Sequence, residues 1–179
     1  KFERHQKEGI PVALIICDMN NLKRINDIYG HTAGDRALKL LGNMLAKYTG
    51  HGIASRLGGD EFLIFMPDVS HEAVAEQMHK LFQEFHSIIE NDVEIQCATL
   101  SAGLCMCTCE DSFESCYLKA DKTLYYVKQN GKNQFFFYQQ MDRRDLSSSS
   151  VGKDLKLIAN SLRESGSYRG ALDLNYRDF

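Results

Sequence analysis

The 179-residue chain contains no apolar run long enough to cross a membrane. The longest early run is Val12 to Cys17, far short of the roughly 20 residues a spanning helix needs. No secretory signal pattern opens it. It has no basic surplus: the formal net charge is −3, which argues against a nucleic-acid partner and leaves open a single anionic ligand carried by metal ions. Cys17, Cys97, Cys105, Cys107, Cys109 and Cys116 include no CxxC pair and no disulfide-type spacing. They read as reduced thiols of a cytoplasmic protein, and no internal repeat stands out. If extended, "CMCTC" places Cys105, Cys107 and Cys109 on one strand face, and no histidine stands close by in sequence to complete a metal site.

What is present suits one soluble domain with some excess length. Apolar residues make up 44% and charged residues 25%, enough for a sizeable core. "VALIICD" reads as a buried strand ending in Asp18, and "NNLKRINDIYG" as a helix stopped by Gly30. A longer helix is predicted from Thr32 to Tyr48, stopped by Gly50 and Gly52. "IASRL" and "EFLIFMP" read as strands joined through Gly58-Gly59. A helix follows from about Ser70 to Ile89, with Val74, Met78, Leu81, Phe82, Phe85 and Ile89 as its core stripe. "VEIQCATLSAGLCMC" reads as one long strand, "FESCYLKADKTLYYVKQNGKN" as a helix, and "QFFFYQ" as a last strand.

This β-α-α-β-β-α-β-α-β order predicts an α+β fold: a mainly antiparallel sheet of about five strands flanked by helices. The domain is expected to span residues 1–140. A charged and then serine-rich linker is expected over 141–153. Residues 154–179 read as a C-terminal extension or the truncated start of another domain.

Three carboxylates carry the chemistry. Asp18 ends the first strand, and Asp60 and Glu61 lie at the hairpin tip. If the first strand pairs beside the hairpin, all three gather at one end of the sheet. Crowded carboxylates are costly without a cation among them. Hard oxygen donors suit Mg²⁺ or Mn²⁺, ions normally shared with substrate phosphates. Gly58 and Gly59 allow a bulky ligand near the backbone. The helix opening after Asp18 presents free N–H groups to an anion. Lys128 and Lys132, four apart, are expected on one face of a helix end as point charges for phosphates. Taken singly, each feature has an ordinary explanation: a solvated tip, a tight turn, lysines serving a helix dipole. Their occurrence together gives the site.

"RLGGDEF" resembles the signature of the GGDEF domain, the diguanylate cyclase family. "DMNNLKRINDIYGHTAGDRAL" is similar to that family's first block, "TLSAGL" to its V-S-I-G-V strand, and "KADKTLYYVKQNGKNQF" to its A-D-x-A-L-Y-x-A-K-x-x-G-R-N block. The likeness covers about residues 10 to 138, in order. It implies a fold similar to the nucleotide cyclases and the polymerase palm, with a ferredoxin-like core. It also implies condensation of two GTP to cyclic di-GMP, with a homodimer of domains supplying one GTP each. Asp18 and the Met19 carbonyl would hold the metal with Asp60 and Glu61, and Asp60 would help deprotonate the attacking hydroxyl. Asn26 and Asp35 would read guanine, with His31 in the same pocket. An Asp accepts from the guanine N1–H and 2-amino donors, a pair that adenine lacks. Backbone N–H groups of Asn21, Leu22 and Lys23 would take the β- and γ-phosphates, with Lys128 and Lys132.

Four departures from the family pattern stand out. Asn20 replaces the second acidic letter of the first block. Lys132 replaces an arginine, keeping charge but losing the bidentate fork. The product-inhibition motif R-x-x-D is absent, its positions holding Thr49 and Gly52. The D-x-L-T-x-L-x-N-R opening helix is not found, so an upstream sensor in a larger, even membrane-anchored, protein is expected. The alternative reading is a catalytically silent GTP-binding module that regulates such a protein.

Overall fold

The computed structural model describes residues 2–141. The predicted linker and C-terminal segment lie outside these residues, apart from Met141. The elements are α1 (Phe2–Lys7), β1 (Val12–Asn20), α2 (Leu22–Tyr29), α3 (His31–Tyr48), β2 (Ile53–Gly58), β3 (Glu61–Pro67), α4 (His71–Ile89), β4 (Thr99–Cys107), α5 (Phe113–Gln129) and β5 (Phe135–Phe137). A 3₁₀ turn covers Tyr138–Gln140. The strands form one sheet in the order β2-β3-β1-β4-β5. Only the β4–β5 pair is parallel. The expected α+β architecture is therefore present, and α1 is an addition to the expected order.

β1 lies at the centre and is buried at all nine positions. Its apolar run lacks polar alternation because both of its faces are covered. Successive side chains point to opposite faces. Ala13, Ile15, Cys17 and Met19 join the core made with α2, α3 and α4. Val12, Leu14 and Ile16 join a second core made with α5 and Phe2. Asp18 continues that second series, so its carboxylate emerges on the α5 face. The antiparallel register sets Glu61 of β3 on one side of Asp18 and Ser101 of β4 on the other.

α5 closes against the sheet through Gly103. A Cβ there would lie 2.1 Å from the Ala120 carbonyl oxygen and 2.2 Å from the Leu124 nitrogen. Glycine thus brings helix backbone into contact with strand backbone. Ser112 caps the helix N-terminus by accepting from the Ser115 N–H at 3.0 Å. Ser70 does the same for α4 with Ala73 at 3.2 Å. These are the polar starts that helices favour. The α4 stripe is buried as predicted except at Phe82, which packs edge-on against Phe135.

Two boundaries differ from expectation. The strand predicted from Val93 begins only at Thr99. Residues 93–98 turn instead: Asp92 accepts the Glu94 N–H on its side chain and the Ile95 and Gln96 N–H groups on its carbonyl. Arg36 bridges Asp92 and Glu94 at 2.9 and 2.8 Å. The apolar alternation at 93, 95 and 97 misled because Val93 is 67% exposed while Ile95 is buried. The hairpin also closes differently. Gly58 pairs with Glu61, so the tip is Gly59-Asp60 rather than Gly58-Gly59. Gly59, at φ 56°, supplies the left-handed residue that this turn needs.

Asp111 anchors the loop between β4 and α5. It is buried and accepts from the Thr108 N–H and hydroxyl, from Ser115 and from Lys119. Burial opposes its charge, yet Lys119 and the other donors outweigh burial and hold its pKa down at about 2. A depressed native pKa contributes stability above the unfolded value, lost as pH falls through the native one. Asp111→Asn should cost about 2 kcal/mol at neutral pH. Urea titrations from neutral pH down through pH 3.8 toward 2 should show this difference shrinking. A difference that holds constant across that range would contradict the assignment.

Candidate nucleotide and metal site

Three chain segments meet at the end of β1. Asp18 is 4% exposed and stands opposite Glu61 in the β1–β3 register. The Met19 N–H donates to the Asp60 carbonyl oxygen at 3.0 Å, which fastens the hairpin tip to β1. Arg56 donates to the Gly59 carbonyl oxygen from Nε at 3.0 Å and Nη2 at 2.7 Å, which fixes the turn from the other side. Asn20 is buried behind the cluster, donating to the Thr99 carbonyl and hydroxyl and to the Ser101 hydroxyl. An acidic residue could not make those donations, which accounts for the amide at this position.

The electrostatics follow from burial. Desolvation raises the Asp18 pKa, and the Lys128 ammonium, 2.7 Å away, opposes the rise. Burial also raises Glu61; Lys128 pulls it down while Asp18 and Asp60 push it up. Tyr117 is pushed up to about 12 by burial, Asp121 and Glu61. Lys128 in contact and Lys132 farther off do not match Asp18, Asp60 and Glu61, so negative charge is left in excess. Crowded, partly buried oxygen donors with residual charge fit a divalent cation of the Mg²⁺ or Mn²⁺ kind.

The lysines do not stand as expected. Lys128 lies in the last turn of α5 but is engaged with Asp18. Lys132 is not on the helix: α5 ends at Gln129, Gly131 turns the chain at φ 106°, and Lys132 itself has φ 57°. Its backbone N–H returns to the Val127 carbonyl, a helix-terminating bond. From that turn its charge still lowers the Asp18 pKa.

α2 begins directly after β1. Asn21 takes a left-handed conformation at φ 69°, and its side chain donates to the Cys97 carbonyl at 2.7 Å. The N-terminus of α2 has no side-chain cap and no acidic residue in its first turn. The N–H groups at Leu22 and Lys23 therefore remain suited to an anion. Further along α2, Asn26 Oδ1 is buried without a hydrogen-bond partner among the described residues. It lies against Gly34 of α3, where an added Cβ would fall 1.9 Å away. Asp35 follows Gly34 and is exposed, as is His31 at the start of α3. An unmet buried acceptor is an unusual cost, and Gly34 leaves the room that the Asn26 oxygen occupies.

The structure thus brings Asp18, Met19, Asp60, Glu61 and Lys128 together, with Gly58 and Gly59 at the adjoining tip. Asn26, Gly34 and Asp35 form a second group across α2 and α3. Sequence reasoning passed over Gly34, Arg56 and Asp121. Asp121 precedes Lys128 by seven residues, two helical turns, and that spacing puts it on the same face of α5. Arg56 belongs to the quoted signature, but nothing in one sequence shows which carbonyl it would hold.

A central β-strand that carries a carboxylate two residues before its end, beside a hairpin tip and a helix N-terminus, defines a class of sheet domain with an acidic site at one end of the strands. Residues 1–134 match the family described as "Diguanylate cyclase, GGDEF domain", and this chain belongs to that family. It is 30% identical over 143 residues to a diguanylate cyclase of Vibrio cholerae, covering 78% of this chain and 44% of that protein. It is 35% identical over 133 residues to diguanylate cyclase A of Treponema denticola, covering 72% of this chain and 35% of that one. The solved GGDEF domain of DgcB from Caulobacter crescentus, in complex with c-di-GMP, superposes with a TM-score of 0.71 at 23% identity, over 76% of this chain and 83% of that chain. This chain spans less than half the length of the curated relatives it matches first. No helix among the described residues is long and apolar enough to cross a membrane.

The crowding predicts a trade of stability against function. Because their native pKa values lie above the unfolded ones, Asp18 and Glu61 cost stability at neutral pH. That cost fades as pH falls through the raised native values. Glu61→Gln should therefore raise the melting temperature of the metal-free chain, by about 2 °C. Calorimetry with and without Mg²⁺ checks this: the ion should stabilise the parent chain more than the variant. A variant that melts lower than its parent without metal would refute it.

Proposed function

We propose that this chain is a diguanylate cyclase domain that joins two GTP into cyclic di-GMP with release of two pyrophosphates. The observation that carries the reading is the Asp18–Glu61 pairing with Asp60 at the tip, beside the uncapped α2 N-terminus. It is supported by family membership.

In this reading Asp18, the Met19 carbonyl, Asp60 and Glu61 hold a divalent cation, Mg²⁺ or Mn²⁺. When bound, the ion offsets triphosphate charge and lowers the pKa of a neighbouring hydroxyl. The α2 N–H groups of Asn21, Leu22 and Lys23 receive the terminal phosphates, with Lys132 beside them. Lys128 neutralises Asp18 while the site is empty and turns to phosphate when it fills. Asn26 and Asp35 read the guanine edge, and His31 borders it. The Asn26 carbonyl oxygen then gains the donor it lacks among the described residues.

The chemistry is an in-line displacement carried out twice. A 3′-hydroxyl oxygen forms a bond to the α-phosphorus of the opposite GTP, and the bond from that phosphorus to the bridging oxygen breaks. Pyrophosphate leaves with the bonding pair, and the hydroxyl proton passes to Asp60 or solvent. One domain offers one guanine site, so two copies must face each other. Positioning two nucleotides in this way replaces a bimolecular encounter and is the largest contribution the fold can make.

Incubation with GTP and Mg²⁺, followed by chromatography of the products, tests the reading. Cyclic di-GMP should form, its rate per chain should rise with protein concentration, and Asp60→Ala should abolish it while GTP still binds. GTP binding with no product at any concentration would favour the silent regulatory module instead. Gly34→Ala gives a sharper check of the guanine group. Its Cβ displaces Asn26, so GTP affinity should fall roughly tenfold or more, the worth of one or two hydrogen bonds. ATP affinity, already weak, should barely change. An equal loss for both nucleotides would place guanine recognition elsewhere.

A further inference from the structure

At the far end of the α5 face from Asp18, three cysteines converge. Cys105 and Cys107 stand two apart on β4, opposite Leu14 and Val12 of β1, so both point toward α5. Cys116 meets them from the first turn of α5. Their sulfur atoms all lie within 4.8 Å of one another. All three thiols are free; Cys105 and Cys116 are buried and Cys107 is half-buried. The trio differs from the one expected by alternation alone. Cys109 lies past the end of β4 and is exposed, and a cysteine from the next element takes its place.

We propose that Cys105, Cys107 and Cys116 form a thiolate site for a soft divalent metal ion, Zn²⁺ in the first instance, with a fourth coordination position open on the Cys107 side. Zinc binds thiolate sulfur at about 2.3 Å, which sets two sulfurs on one tetrahedral ion roughly 3.8 Å apart. The sulfurs, all within 4.8 Å of one another, lie within about an ångström of that spacing. Soft donors alone select Zn²⁺ or Cu⁺ over Mg²⁺, so this site and the carboxylate cluster would not compete for one ion.

Charge favours the divalent ion. Three thiolates with Zn²⁺ sum to −1, against −2 with a monovalent ion, and the nearby Lys119, one turn beyond Cys116, is paired with Asp111. Thiols bind the ion as thiolates, so binding should release protons to solvent. An outer layer is present as well. Gln139 donates to Cys105 Sγ at 3.9 Å and to the Met106 carbonyl at 2.7 Å. Metal ligands are commonly oriented by such partners.

The test is titration of the reduced full chain with Co²⁺ and then Zn²⁺, without oxygen. One Co²⁺ per chain should give sulfur-to-metal charge-transfer absorption, which carboxylate binding cannot produce, and Zn²⁺ should bleach it. Cys107→Ser, a small change at a half-buried position, should lower affinity by more than the roughly 10–100-fold that loss of an outer partner costs. Cys97→Ser and Cys109→Ser should leave the band intact. Alkylation mapped on the unsubstituted chain guards against a misfolded variant: Zn²⁺ should protect Cys107 and leave Cys109 reactive. Absence of the charge-transfer band in the folded chain, its survival in Cys107→Ser, or unprotected Cys107 would each overturn the proposal.

Discussion

The site depends on placing Asp18 where it does not belong by solvation alone. A carboxylate at the end of the central strand, nearly removed from water, has Glu61 directly across the ladder and Asp60 bonded through its backbone to the next residue. Hydrophobic burial of the rest of β1 enforces this. Val12 through Cys17 fix the register, and the register carries Asp18 in with them. A slip of one residue would turn the whole apolar set to the wrong faces. The energy that seats the acid is thus spread over six apolar neighbours, while Lys128 in contact and Lys132 farther off offset its charge.

Much of this was legible because β1, the hairpin and the helical stripes obey simple periods. The run from Val12 to Cys17 announced a strand covered on both faces, and Gly30 and Gly50 marked ends where they fall. Convergence of Asp18 with Asp60 and Glu61 required only that β1 pair beside the hairpin. Less legible was whatever depended on competition between neighbours. Residues 93–98 alternate like a strand, yet an aspartate that can cap two backbone turns, held by Arg36 from α3, outweighs a pattern of six residues. Lys132 was assigned to a helix face from its spacing to Lys128, but Gly131 intervenes. Cys116 joins Cys105 and Cys107 through tertiary packing, which no spacing rule encodes. The short helix α1, whose Phe2 meets Phe65 and Phe113 edge-on, carried no caps or long stripe to declare it.

The two faces of the sheet divide their labour. One is a broad apolar layer under α2, α3 and α4, deep enough to make the domain stable. The other is covered mainly by a single helix, α5, and carries the carboxylates at one end and the thiols at the other. The helix N-terminal end is tied down by Cys116 and the Lys119–Asp111 pair and its C-terminal end by Lys128. The acidic site and the sulfur cluster are coupled by nothing more than a common rigid cover, about 18 Å long between Cys116 and Lys128.

That cover rests on Gly103, midway between its two tethers. Because strand and helix main chains come this close at Gly103, it works as a fulcrum. Any side chain there would tilt the whole rod, and the end bearing Lys128 would swing away from its acid. The demand on this position is thus made two strand rows away, at Asp18. A residue with no functional group would then be as intolerant of replacement as the acids themselves.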